Sequence, residues 1–264
     1  MAETQAHGDK TSRKALPGGD RDKSSVGGTA ESRLSRPFSN EGLQEGFRLF
    51  RLKRWEKALQ ELLALKAGNL SAEENAERSY FLGLCYTKLE RYDDALLYLE
   101  QVVTASEDPL RVYQCRMTLA YIYVITKRAR LAEFELNRLM AGGFESVQIF
   151  TTLAYAAWSQ KHYDQAVEYY EKALEMDGNN TTAMNGLGYI LADTDRDVLR
   201  GLRFCRKAVD RKPQTAAYLD SLGWAHFKSG DVTEARVWLR RALELAPKQR
   251  EIQNHMRIVV GGDS

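Results

Sequence analysis

From residue 41 onward, large apolar residues return at helical spacing, and small residues recur among them at fixed intervals. A small residue is followed twelve positions later by Ala in five places: Gly46 and Ala58, Gly83 and Ala95, Ala120 and Ala132, Ala154 and Ala166, Gly223 and Ala235. In a sixth place Gly188 meets Gly201 thirteen positions on, which marks a one-residue insertion. The first members of these pairs are separated by 37, 37, 34, 34 and 35 residues. Two helices of about 12–15 residues and two short turns fill such a period.

The pattern predicts helix pairs that cross at their small residues, where a bulky side chain would hold the two axes apart. Leu82, Tyr86, Leu99 and Val102 surround the second pair, and Leu119, Tyr123, Leu136 and Leu139 the third. Leu219, Leu222, Leu239 and Ala242 do the same for the sixth. Pro213 and Pro247 stop the second helices of the last two units. No pair alone covers both of its apolar faces, so neighbours have to stack.

The segment 218–247, YLDSLGWAHFKSGDVTEARVWLRRALELAP, and the segment 153–179, LAYAAWSQKHYDQAVEYYEKALEMDGN, resemble the tetratricopeptide repeat (TPR) family. NGLGYILAD (185–193) and LDSLGWAHF (219–227) look like bacterial members. Unit one departs from the pattern at Glu45 and Leu65, and unit five has Cys205 where an aromatic is usual. The resemblance implies an all-α, right-handed solenoid of about six helix-turn-helix repeats. Its units fall near 41–70, 76–109, 113–143, 147–180, 181–215 and 216–247. Residues 248–260 read as an amphipathic capping helix.

In the family, positions just after the small anchor face a concave groove. The ring-bearing positions there and one turn away are Phe47, Phe50, Tyr80, Tyr121, Tyr155, Trp158, Tyr189, Trp224 and Phe227. Aromatic side chains of this kind anchor interfaces. The expected function is a non-enzymatic adaptor holding a partner protein segment in an aromatic trough, with a carrier of a small apolar ligand or lipid as the alternative. The family's carboxylate clamp needs Lys and Asn in unit one, where Leu43 and Phe47 stand.

Charge changes the picture only locally. The chain of 264 residues has a net charge of +2, which gives no global pull toward nucleic acid or anionic membrane. The second helix of unit five is basic, with Arg200, Arg203, Lys207 and Arg211, and Arg240 continues the patch in unit six. Such a face suits an acidic partner or nucleic acid, or is simply a solvated surface. Residues 1–40 are rich in Ser, Gly and charges and lack apolar periodicity, which predicts a disordered N-terminal tail.

Chemistry-bearing residues are scattered. His7, His162, His226 and His255 have no Cys or His partner at metal-ligand spacing. Cys85, Cys115 and Cys205 read as small core residues. Asp193, Asp195 and Asp197 begin like a calcium loop, yet Val198 and Phe204 stand where Gly and Glu are required, so a helix cap is expected there. The expectation is therefore no catalysis, no metal and no cofactor. No apolar run approaches the roughly 18 residues of a membrane span. A cytoplasmic protein is expected, with a place at the periphery of the cell envelope as the alternative.

Overall fold

The computed structural model describes residues 39–261. The described residues from Asn40 onward form one compact unit. The expected tail therefore lies outside the described residues, except for its last two positions. Asn40 already belongs to the solenoid: its side chain caps the first helix by accepting from the Leu43 N–H at 3.1 Å.

Among the described residues the chain is helical throughout. The helices are α1 (Glu41–Arg51), α2 (Trp55–Ala64), α3 (Ala72–Lys88), α4 (Tyr92–Ala105), α5 (Pro109–Ile125), α6 (Ala129–Ala141), α7 (Val147–Ser159), α8 (Tyr163–Met176), α9 (Thr181–Asp193), α10 (Val198–Arg211), α11 (Ala216–Lys228), α12 (Val232–Leu245) and α13 (Arg250–Gly261). A 3-10 turn at Ala67–Asn69 precedes α3. Each odd-numbered helix packs on the even-numbered helix after it, and each pair packs on the next.

Units two and three begin four residues earlier than the repeat phase suggests. Ser71 and Glu74 form a reciprocal capping box that starts α3 at Ala72. Asp108 caps α5 through the Leu110 N–H, with Pro109 in its first position. Both helices run to 17 residues, against 13 for α7, α9 and α11. Those four residues, offset by a linker one residue shorter before α5 and by the shorter α2 with its longer linker before α3, give the two 37-residue spacings.

The small anchors do what the pattern requires. A Cβ added to Gly46 would lie 2.6 Å from Leu62, one added to Gly83 2.6 Å from Leu99, and one added to Gly223 2.7 Å from Leu239. Those leucines are completely buried, each contributing about 1.5–3 kcal/mol through removal from water. Unit five is tighter. A Cβ on Gly188 would sit 2.8 Å from the Gly201 carbonyl oxygen, and one on Gly201 2.7 Å from that of Gly188. Here backbone meets backbone, and the small Cys205 sits where other units place Leu or Tyr. The Tyr170 ring from unit four fills the space beside Gly186.

The turns inside the pairs repeat as closely as the anchors. Lys53, Glu90, Lys127, Lys161, Asp195 and Gly230 each take a positive φ, between 54° and 88°. Five turns have three residues, whereas the α9–α10 turn has four (194–197), which holds the inserted residue. Asp197 ends it as the helix cap expected of that acidic run, its carboxylate accepting from the Arg200 N–H at 2.8 Å.

Candidate functional site

First helices of neighbouring pairs touch, α1 with α3, α5 with α7, α7 with α9 and α9 with α11, and form a wall of the stack. The rings expected on it fall into two clusters. Near the N-terminus, Phe81 lies 5.0 Å from Phe47, 5.5 Å from Phe50 and 5.4 Å from Tyr80, centroid to centroid. Phe81 is almost fully buried and welds unit one to unit two. The Arg111 guanidinium covers the Tyr80 ring at 3.9 Å, while Arg111 itself pairs with Glu77. This cluster is packing between repeats. Tyr121 stands apart and is exposed.

The second cluster is continuous. Tyr155 meets Trp158 at 5.4 Å, Trp158 meets Tyr189 at 5.9 Å, and Tyr189 lies 6.2 Å from His255 of α13. His255 stacks on Trp224 at 4.3 Å, and Trp224 lies 5.2 Å from Phe227. Trp224 is buried, and its indole N–H donates to Asp193 at 2.8 Å. Its role is therefore to join units five and six beneath the capping helix. Tyr155 is 44% exposed and offers its ring to solvent.

Beside Tyr155 and Trp158 opens a cavity of about 650 Å³. Its lining includes Tyr163, Asp193 and Glu251, the last from the capping helix, together with Lys127, Arg128, Arg130 and Lys161. Asp93 holds Arg128 at 3.1 Å. Burial, and then the nearby Glu251 carboxylate, push the Tyr155 hydroxyl pKa upward. Burial also raises that of Tyr189, with Asp193, Asp220 and Glu251 adding to it. The volume lies in the range of ligand pockets, yet the space is open to solvent, as a trough for a chain segment would be.

Sequence reasoning placed Glu251 and His255 only on a capping helix and passed over Phe81. The signal for the first two was the period itself. Arg250 stands 34 residues after Ala216, so α13 begins as a seventh first helix and carries the wall onward.

The basic helix is partly spoken for. Arg200 pairs with Glu171 at 2.8 Å, Arg196 in the preceding turn pairs with Asp164, and Arg211 donates to the Asn179 amide oxygen at 2.7 Å. Arg206 and Arg241 flank the Trp238 ring at 4.8 and 4.6 Å. Lys207 lies 5.9 Å from the Phe204 ring. Arg203, Lys207 and Arg240 remain exposed. The three cysteines are buried, and burial pushes each thiol up to about 12. Among the described residues no group of three His, Cys, Asp or Glu side chains is placed to hold a metal ion, and no helix is long and apolar enough to cross a membrane.

The stacked helix pairs and the shared first-helix wall define an α-solenoid of interaction repeats. Tetratricopeptide repeat models match residues 79–113, 151–214 and 216–249, together about half of the chain, and the chain belongs to that family. It is 35% identical over 78 residues to a TPR repeat-containing protein of Pseudomonas aeruginosa, covering 30% of this chain and 13% of that one. The chain spans 13–37% of the length of the curated relatives it matches. A tetratricopeptide repeat protein from Parabacteroides merdae superposes with a TM-score of 0.63 at 13% identity, covering 83% of each chain. YrrB, a TPR protein with an unusual peptide-binding site, superposes with a TM-score of 0.50 at 16% identity, covering 76% of this chain and 96% of that one. At these identities the likeness is one of fold. The fold is that of a protein-interaction adaptor in general.

Proposed function

We propose that this protein is a non-enzymatic adaptor that holds a partner segment against the first-helix wall of units four to six and the capping helix. The observation that carries this reading is the open cavity lined by Tyr155, Trp158 and Tyr163, beside a run of rings that continues to Tyr189. Rings of this kind give large contact area at low entropic cost. The peptide-binding site named for YrrB supports it by analogy of fold. The N-terminal rings Phe47, Phe50 and Tyr80 serve repeat packing, so the binding stretch is the C-terminal half of the wall.

The test is capture of a partner from native extract by the full chain, with identification by mass spectrometry. Replacing Tyr155 and Trp158 together by Ala should abolish capture while far-UV circular dichroism stays unchanged. Equal capture by the double variant would sink the proposal. Trp224 is the wrong residue for this test, because its loss would disturb the seat of the capping helix.

A further inference from the structure

The second helices carry a row of rings that the first-helix wall does not use. Tyr169 of α8, Phe204 of α10 and Trp238 of α12 each stand three residues after the small residue of their helix, Ala166, Gly201 and Ala235. Equivalent positions of stacked units follow one another along the stack. All three rings are half-buried and have cations close by. Lys172 lies 5.9 Å from the Tyr169 centroid, Arg200 5.5 Å and Lys207 5.9 Å from that of Phe204. Arg206 and Arg241 lie 4.8 and 4.6 Å from that of Trp238. Arg206 reaches Trp238 from the neighbouring helix, so the row runs on from α10 to α12.

Charge changes sign along this row. On α8, Asp164, Glu168, Glu171 and Glu175 outnumber Lys172. On α10 the cations outnumber Asp210. Glu171 takes up Arg200. Beyond that pair, Arg203, Arg206, Lys207, Arg240 and Arg241 form no ion pair among the described residues. Glu234 is engaged by the Trp238 N–H at 2.9 Å, while Asp210 and Glu244 are exposed and unpaired.

Two features set this face apart from a simply solvated one. The Trp238 ring holds two guanidinium heads in place, and Arg206 is held again by the His226 ring nitrogen at 3.0 Å. A guanidinium resting on a ring keeps in-plane N–H groups for an anion and an outer flat face for stacking. A chain of phosphates and flat bases uses both, whereas a carboxylate-bearing peptide uses only the first. The rings also come at one per repeat, which suits an occupant that itself repeats.

We infer that the second-helix face of units five and six binds single-stranded nucleic acid. Arg203, Lys207 and Arg240 meet its phosphates, and the cation-capped Phe204 and Trp238 rings lie under its bases. The acidic α8 bounds the face on the side of unit four. Local charge supplies the attraction that the net +2 of the chain does not. The face is separate from the first-helix groove, so this inference and the adaptor reading stand or fall independently.

The experiment is fluorescence anisotropy of a labelled single-stranded RNA of mixed sequence, about 20 nucleotides long, titrated with the full chain between about 50 and 300 mM salt. The logarithm of the affinity should fall against that of salt with a slope of about −2 to −3.5, as expected for about three to five neutralised phosphates. Arg203→Ala/Lys207→Ala/Arg240→Ala should weaken binding by about tenfold or more and flatten the slope by about 2. Removing three exposed cations of unit one, as Arg54→Ala/Lys57→Ala/Lys66→Ala, should change affinity by less than about twofold. Duplex RNA of the same length should bind about fivefold or more weakly, because its bases cannot reach the rings. No binding at about 50 mM salt, or binding that ignores the α10–α12 triple variant, overturns the inference. So does equal binding of the duplex. Displacement by poly-glutamate as effective as by unlabelled RNA also overturns it and assigns the face to an acidic protein.

Discussion

His255 lies on Trp224 with ring centroids 4.3 Å apart and planes within 21° of parallel. Its Nδ1 is at the same time 2.9 and 3.0 Å from the two carboxylate oxygens of Asp220. One side chain of the capping helix thus covers an indole and occupies a buried carboxylate on the preceding first helix. Ile252 and Val259, both buried, hold the same helix by apolar contact. Replacing His255 by Ala should cost about 2–3 kcal/mol, combining the lost stack with an Asp220 left unpartnered. Urea unfolding would measure the loss, and Trp fluorescence should shift to the red as the indole is uncovered. A loss below about 0.5 kcal/mol would mean the apolar seat of α13 suffices.

The glycine anchors should differ in what they tolerate. Gly46 faces the flexible end of Leu62, which can move aside, and Ala favours a helix by about 1 kcal/mol over Gly. Gly46→Ala should therefore change stability by less than about 1 kcal/mol. At Gly188 the obstacle is the backbone of α10, and Gly188→Ala should destabilise by about 2 kcal/mol or more. Paired thermal or urea melts decide this, and equal effects at the two sites would refute the backbone contact.

The left-handed turn residues make a prediction of opposite sign. A non-glycine residue in that region costs about 1–2 kcal/mol. Lys53 has φ of 57°, while the sixth unit places Gly230 at the equivalent position with φ of 88°. Lys53→Gly should stabilise the protein by about 0.5–1 kcal/mol, and Gly230→Lys should destabilise it by a similar amount. A drop in melting temperature for Lys53→Gly would contradict the assignment.

The pH dependence has one clear source. His226 is buried. Burial first, and then the neighbouring Arg206 guanidinium, lower its pKa from the usual 6.5. Arg206 Nη2 donates to its Nε2 at 3.0 Å. The unfolded chain thus takes up the proton at a higher pH than the folded one. Stability is complete above about 6.5 and falls as the pH drops toward the folded pKa. The slope of melting temperature against pH between about 7 and 5 should flatten in His226→Gln. An unchanged slope would place the effect elsewhere.

The repeat was legible in the sequence because its signal, small residues at fixed intervals, is also its packing constraint. Helix pairs do cross at those small residues, where an added Cβ would meet the facing helix. The starts of α3 and α5 were hidden by the same regularity: local capping at Ser71 and Asp108 added a turn that the phase did not contain. The turn conformations were invisible at five of six positions, since Lys, Glu and Asp do not advertise a left-handed backbone and closure of the helix pair imposes it. The aromatic wall was half legible. Ring positions follow from the period, but which rings are covered depends on Phe81, Arg111 and His255, which belong to other helices or other faces. The basic patch likewise looked freer than it is, because the carboxylates that meet it lie about 30 residues back on α8.

The extra residue between α9 and α10 has a wider meaning. Gly201 is the fourth residue of α10, just as Ala58, Ala95, Ala132, Ala166 and Ala235 are the fourth residues of their helices. The insertion therefore leaves the rotational setting of the helix untouched, and the turn absorbs all of it. Chain length and helix phase are separable at this point. An added loop grafted there would put at stake only the surface ion pairs of Asp195 with Lys228 and Arg196 with Asp164, so new surface can be acquired at a turn while the helix phase is kept.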